Sequence, residues 1–210
     1  MRSIPYSDSS LIVHCFTPNH GRISLMARGA RRAKSPFRGG LMPLHQLHIR
    51  WKVPRTGSMG TLLEVQRLQP LLDDSKMLAG QRLLSQANTL FPDGVEHGYT
   101  ELLQAISILS RQEEMPGLPT AIWSMLSSAG VVGNLTHCWH CASEVSLDTS
   151  MYWLDTHALC ALCSGHRGIQ LSPGCRKSIL YLLEGKHVTL SQNDLHTWQH
   201  IMNESIKSHR

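Results

Sequence analysis

Four of the six cysteines form two pairs of equal spacing, Cys138-Trp139-His140-Cys141 and, after 18 intervening residues, Cys160-Ala161-Leu162-Cys163. Two residues between cysteines make a knuckle whose thiolates face one side, and two knuckles on a hairpin supply four sulfurs at tetrahedral angles. The pattern predicts one structural Zn2+ per chain, held by Cys138, Cys141, Cys160 and Cys163. Four thiolates fill every coordination position and leave none for water or substrate. His137, His140 and His157 are alternative ligands, less expected where four cysteines are available. Cys15 and Cys175 have no spaced partner and are expected to pack as small apolar residues. His196 and His200, four apart on the last helix, lack a third ligand and are expected to face solvent.

The second chemical grouping is Arg28-Gly29-Ala30-Arg31-Arg32-Ala33-Lys34-Ser35-Pro36-Phe37-Arg38, five cations within a glycine-bracketed stretch. A phosphate chain approaching it would release counterions, with log-affinity falling by roughly 0.7–0.9 per neutralised phosphate per decade of salt. Only Tyr6, Phe16, Phe37 and Trp51 are aromatic in residues 1–70, so stacking contributes at few positions and sequence preference should be weak. The net charge of +5 is unevenly spread. Residues 1–70 hold eleven Lys or Arg against Asp8 and Glu64, while the remainder holds nine against thirteen acids. A chain divided in this way presents a basic domain to a polyanion.

No catalytic constellation accompanies these groupings. Gly185-Lys186 is followed by His187 and lacks the upstream glycine of a phosphate-binding loop. Neither H-E-x2-H nor G-x-S-x-G occurs, and no histidine is followed two residues later by the glutamate a zinc deaminase needs. A non-enzymatic protein is expected.

The elements that must position these residues change period along the chain. Segments 9–16, 22–30, 44–53 and 60–70 read as short strands, with Ile23, Leu25 and Ala27 alternating against Arg22, Ser24, Met26 and Arg28. TPNHG (17–21) and PRTGSMG (54–60) are the turns between strands. From Leu71 the spacing becomes helical. Helices are expected over 75–91, with Met77, Leu78, Leu83, Leu84 and Leu90 on one face, and over 99–112 and 118–130. Segments 171–185 and 191–208 resume that period, with Ser191 or Asn193 as a candidate N-cap. EVSLDTSMYWLDTHA (144–158) forms the hairpin between the knuckles.

With 210 residues, 41% of them hydrophobic and 17% charged, the chain is neither disordered nor fibrous. No apolar run reaches a membrane span, and MRSIPYSDSS lacks the apolar stretch of a secretory signal. Cysteines in a reducing cytosol then read as metal ligands rather than disulfides. The expected architecture is α+β and multidomain. A β-barrel occupies 1–70, a helical domain 71–137 and 164–210, and an inserted four-cysteine zinc module 138–163.

Several of these segments are similar to a known family. PYSDSSLIVHCFTPNHGRISLMARGARRAKSPFRGGLMPLHQLHIRW resembles the N-terminal domain of the bacterial recombination and repair protein RecO, with its Pro-Tyr-x-acid-Ser-Ser, its F-T-x-x-x-G turn and its G-A-R-R loop. IWSMLSSAGVVGNLTHCWHC and ALCALC resemble its zinc knuckles, and LSPGCRKSILYLLEG the helix that follows them. The resemblance implies an OB-fold, binding of single- and double-stranded DNA, and annealing of complementary strands. It also implies partnership with RecR and the single-strand DNA-binding protein in loading RecA, and a place in the bacterial cytoplasm on the nucleoid. Carried onto this chain, it makes Arg28, Arg31, Arg32, Lys34 and Arg38 DNA contacts and the four cysteines metal ligands. The alternative reading is an RNA-binding OB-fold protein acting in translation. Two departures stand out. Family members carry an apolar strand before Pro-Tyr, whereas Met1 stands almost where that strand would end. Either the coding start lies upstream or the barrel lacks most of its first strand, leaving a sheet edge open. Asp155-Thr156-His157 replaces the family's Gly-Gly turn, which changes the turn and not the ligands.

Overall fold

The computed structural model describes residues 1–53 and 59–209. The predicted 54–60 connection therefore lies, through residue 58, outside the described residues. The chain divides into two compact units, Met1–Ser110 and Arg111–Arg210.

The first unit is built on a five-stranded sheet of β1 (Arg2–Tyr6), β2 (Ser10–Thr17), β3 (Gly21–Ala27), β4 (His45–Lys52) and β5 (Met59–Pro70), in the order β1-β2-β3-β5-β4. All pairings are antiparallel except β3 with β5. The period of two in the sequence sorts the faces as expected. Val13, Cys15, Leu25 and Ala27 enter a core with Ala30, Phe37 and Leu62, where each large side chain contributes about 1.5–3 kcal/mol.

The expected closed barrel is corrected to an open sheet. Among the described residues β1 and β4 are its edges and do not pair with each other. Closure needs every strand bonded on both sides, and β1, five residues exposed along their whole length, bonds only β2.

Two helices complete this unit, α1 (Met77–Leu90) and α2 (Tyr99–Arg111, ending one residue past the division). The apolar stripe of α1 differs from the expected one, since Leu78 is 63% exposed. The buried face runs instead through Ala79, Gly80, Leu83, Leu84 and Ala87. A Cβ on Gly80 would collide with Leu44 and Leu72, so a bare backbone is what lets those side chains approach. The loop after α1 reaches the sheet. Arg22 Nε donates to Asp93 Oδ1 and its Nη1 to Asn88 O, each at 2.5 Å, and the Ser24 hydroxyl also donates to Asp93. Phe16 meets Phe91 edge-on at 6.4 Å.

The second unit holds α3 (Glu114–Ser128), a hairpin of β6 (Met151–Leu154) and β7 (His157–Leu159), the single turn α4 (Ala161–Ser164), β8 (Ile169–Leu171), α5 (Pro173–Leu183) and α6 (Gln192–Ser208). β8, not expected from the sequence, completes a three-stranded sheet β7-β6-β8. Trp123 of α3 lies between Trp153 of β6 (5.7 Å) and Trp198 of α6 (6.2 Å), forming an aromatic core. Ser191 is the N-cap of α6, accepting from Asp194 N–H at 3.1 Å, and Ser172 caps α5 by accepting from Cys175 N–H at 3.0 Å. Asp194 accepts from both capping hydroxyls and so ties the two helix starts together. No described helix is long and apolar enough to cross a membrane.

Candidate metal centre and basic loop

The two knuckles are local structures with different builds. In the first, Ala142 N–H donates to Cys138 O and Cys138 N–H to Ser143 O, both at 2.9 Å, so the chain folds tightly back past Cys141. In the second, Cys160 is the N-cap of α4, its sulfur accepting from Cys163 N–H at 3.4 Å, and Gly165 ends the turn in the left-handed region. Trp139 N–H donates to Ala158 O on β7 at 3.0 Å, which brings the knuckles to one place. The hairpin turns at Asp155 (φ 47°) and Thr156 (φ 67°), the doubly positive pair of a type I′ turn, made here without glycine.

The four sulfurs lie within 4.8 Å of one another and could hold a metal ion. Their ionisation fits that use. Burial opposes a Cys138 thiolate, but backbone N–H groups of Cys141, Cys160 and His140 converge on the sulfur and bring its pKa down to about 6. The Ser143 hydroxyl and amide lower Cys141. Cys163, crowded by the sulfurs of Cys160 and Cys141, is pushed up to about 12. Sulfurs this close resist ionising together unless a cation sits among them.

The histidines near the knuckles do not join this group. His157 packs against Trp139, the rings tilted by 46° with centroids 3.8 Å apart, and His137 Nδ1 bonds the Thr136 hydroxyl at 2.9 Å. Cys15 and Cys175 are buried, and burial pushes their thiols up to about 11 and about 12. His196 and His200 are exposed.

Sequence reasoning missed Arg176. It is fully buried on α5, with no described carboxylate beside it. Its donors reach four backbone carbonyls instead: Leu135 O at 3.1 and 2.7 Å, Val145 O at 3.0 Å, Ser146 O at 2.9 Å and Thr149 O at 2.5 Å. These carbonyls flank the first knuckle on both sides, so one planar guanidinium frames the segment that carries Cys138 and Cys141. Burial draws its pKa down from the ordinary guanidinium value. The signal was available, because a cation stood in the apolar stripe of Cys175, Ile179 and Leu182.

In the first unit, residues 28–38 form a chain of turns. Arg32 N–H donates to Gly29 O, Ser35 N–H to Arg32 O and Arg38 N–H to Ser35 O, at 3.0–3.3 Å. Ala30 and Phe37 are buried beneath them and anchor the loop to the sheet. Arg28, Arg31, Arg32, Lys34 and Arg38 are all exposed, and among the described residues no carboxylate pairs with them. Arg22, by contrast, is engaged with Asp93.

These observations define a chain of two units, one an open sheet displaying an exposed basic loop and the other a helical unit around a four-cysteine centre of metal-binding type. Residues 1–71 match the family described as "Recombination protein O N terminal". The chain is 29% identical over 154 residues to the DNA repair protein RecO of Proteus mirabilis, covering 70% of this chain and 61% of that protein. It is 34% identical over 146 residues to the protein of the same name from Vibrio parahaemolyticus, covering 64% and 56%. It is 41% identical over 85 residues to that of Azoarcus sp., covering 40% and 34%. The first 71 residues thus match the RecO N-terminal family model, and the resemblance to RecO carried by the sequence motifs holds. The chain spans about three fifths or less of the length of these relatives.

Proposed function

We propose that this chain is a DNA repair and recombination mediator that binds single- and double-stranded DNA and brings complementary strands together without bond-making chemistry. The observation that carries the reading is the basic loop, with five exposed cations held on a series of hydrogen-bonded turns in a RecO N-terminal domain. Cations placed between two phosphate backbones reduce their mutual repulsion, which shortens the time complementary bases need to pair. The strand order with a single parallel pair supports an OB-fold that lacks its closing pairing.

Zn2+ is the ion the four sulfurs suit, since a closed tetrahedral thiolate set is a structural zinc site. When bound, the ion supplies rigidity, and the chain contributes Cys138, Cys141, Cys160 and Cys163 as ligands. Likeness to proteins named DNA repair protein RecO supports action with RecR and the single-strand DNA-binding protein in loading RecA, in the bacterial cytoplasm on the nucleoid.

The test is annealing of complementary oligonucleotides by the full chain and by the triple variant Arg31→Ala, Arg32→Ala, Lys34→Ala. The variant should anneal more slowly, and the salt slope of its DNA affinity should fall by roughly 2–3. An unchanged annealing rate would remove the loop from the mechanism.

A further inference from the structure

We propose that Tyr6 is a base-stacking residue that makes the first unit prefer single-stranded to double-stranded DNA. The inference rests on reading the adjacent loop as a phosphate-binding surface and adds what that loop cannot do, which is to tell an unpaired base from a paired one.

Four aromatic residues lie in residues 1–70, and the fold removes three of them. Phe37 is buried under the basic loop, Phe16 packs edge-on against Phe91, and Trp51 packs with the sheet core and against His20 at 5.6 Å. Tyr6 alone is left, 50% exposed at the end of β1.

Its position is set by the strand register. Tyr6 pairs with Ser10 across the β1–β2 ladder, so their side chains share a face, which is the face turned away from the core formed by Val13, Cys15 and Leu25. The Ser10 hydroxyl accepts from Gly29 N–H at 3.4 Å, at the root of the basic loop. Arg31 fastens the loop to the same turn, its backbone N–H donating to Ser9 O at 2.9 Å and its Nη1 to Ser7 O at 3.1 Å. The ring therefore stands beside the loop's cations. Arg2 lies on the same face of β1 four residues away, roughly 13 Å along the strand, and exposed Ile4 fills the space between.

Cations on both sides of an exposed ring form an arrangement that tracks a sugar–phosphate backbone while a base rests on the ring. In a duplex each base is covered above and below by its neighbours, so phosphates remain readable there and the ring has nothing to stack on. Asp8 is the only acid in residues 1–38, so charge also favours a polyanion over an acidic-rimmed protein partner.

The test is a fluorescence-anisotropy titration of the full chain and its variants with labelled oligothymidylate and with a labelled blunt hairpin duplex. Tyr6→Ala should weaken oligothymidylate binding roughly 5- to 100-fold and leave duplex binding and melting temperature unchanged. Tyr6→Phe, which keeps the ring, should bind both as the unaltered chain does. The inference is overturned if Tyr6→Ala binds oligothymidylate normally, if it weakens both ligands equally, or if Tyr6→Phe fails as Tyr6→Ala does. The triple loop variant separates this from the underlying reading. If it holds duplex as tightly as the unaltered chain, the loop reading fails, whereas the ratio between single strand and duplex across the Tyr6 variants reports on stacking alone.

Discussion

Arg32 and Arg176 carry the same guanidinium and use it in opposite ways. In the basic loop, Arg32 and its four cationic neighbours are exposed on a series of backbone turns, and Arg31 and Arg38 each also donate to one backbone carbonyl, Ser7 O and Ala33 O. In the cysteine module, Arg176 is withdrawn from water and commits its donors to four backbone carbonyls. Removing Arg32 changes what the surface attracts and little else. Removing the buried one takes away part of the scaffold. The lesson is that charge becomes architecture only when it is desolvated and its hydrogen bonds are complete.

The strongest way to break this contrast is to empty the cysteine cluster. Cys138→Ser with Cys141→Ser should abolish an ion-binding free energy on the order of 10 kcal/mol. If the cluster holds one metal ion per chain, metal analysis should then fall from one ion to none, with loss of the near-ultraviolet signal of the tryptophans packed around β6. Next comes Arg176→Lys, which keeps the charge but cannot cover four carbonyls. It should destabilise the second unit by on the order of 3 kcal/mol in denaturant titrations and lower the chelator concentration that strips the metal by about half. An Arg176→Lys chain as stable as the unaltered one would show that the carbonyl frame is incidental.

A smaller effect is expected at the hairpin turn. Thr156→Gly relieves a β-branched residue of its positive φ and should stabilise the second unit by about 1 kcal/mol, read as an upward shift in melting temperature. The smallest effect belongs to the first unit. His14 is held below its ordinary 6.5 in the folded chain, first by partial burial and next by the Arg22 guanidinium, which together outweigh Asp93. As pH falls below 6.5 the unfolded chain takes up this proton before the folded one does. Stability should drop over that interval, while above 6.5 both forms are neutral and the group contributes nothing. His14→Gln should flatten this part of the stability profile, and an unaltered slope would assign it to another group.

Features encoded by near neighbours along the chain are legible in the amino-acid order alone. The cysteine spacing, the glycine-bracketed cations, the alternation along β3 and the Ser191 cap each depend on residues a few positions apart, and all four appear where the pattern puts them. The hairpin between the knuckles is likewise readable, although its turn lacks glycine. The stripe of α1 departs from its pattern at Leu78, because a hydrophobic period marks a face without saying what packs there.

The amino-acid sequence by itself determined which four cysteines come together, the location of the positive charge and most of the strands and helices, β1 and β8 excepted, since these follow from covalent proximity and backbone periodicity. Tertiary structure decided that the sheet stays open, that Arg22 is tied to Asp93 71 positions away, that Arg176 is buried, and that Tyr6 is the aromatic left exposed beside the loop. Those outcomes turn on which surfaces exclude water from which others, and that depends on long-range packing that no local window contains.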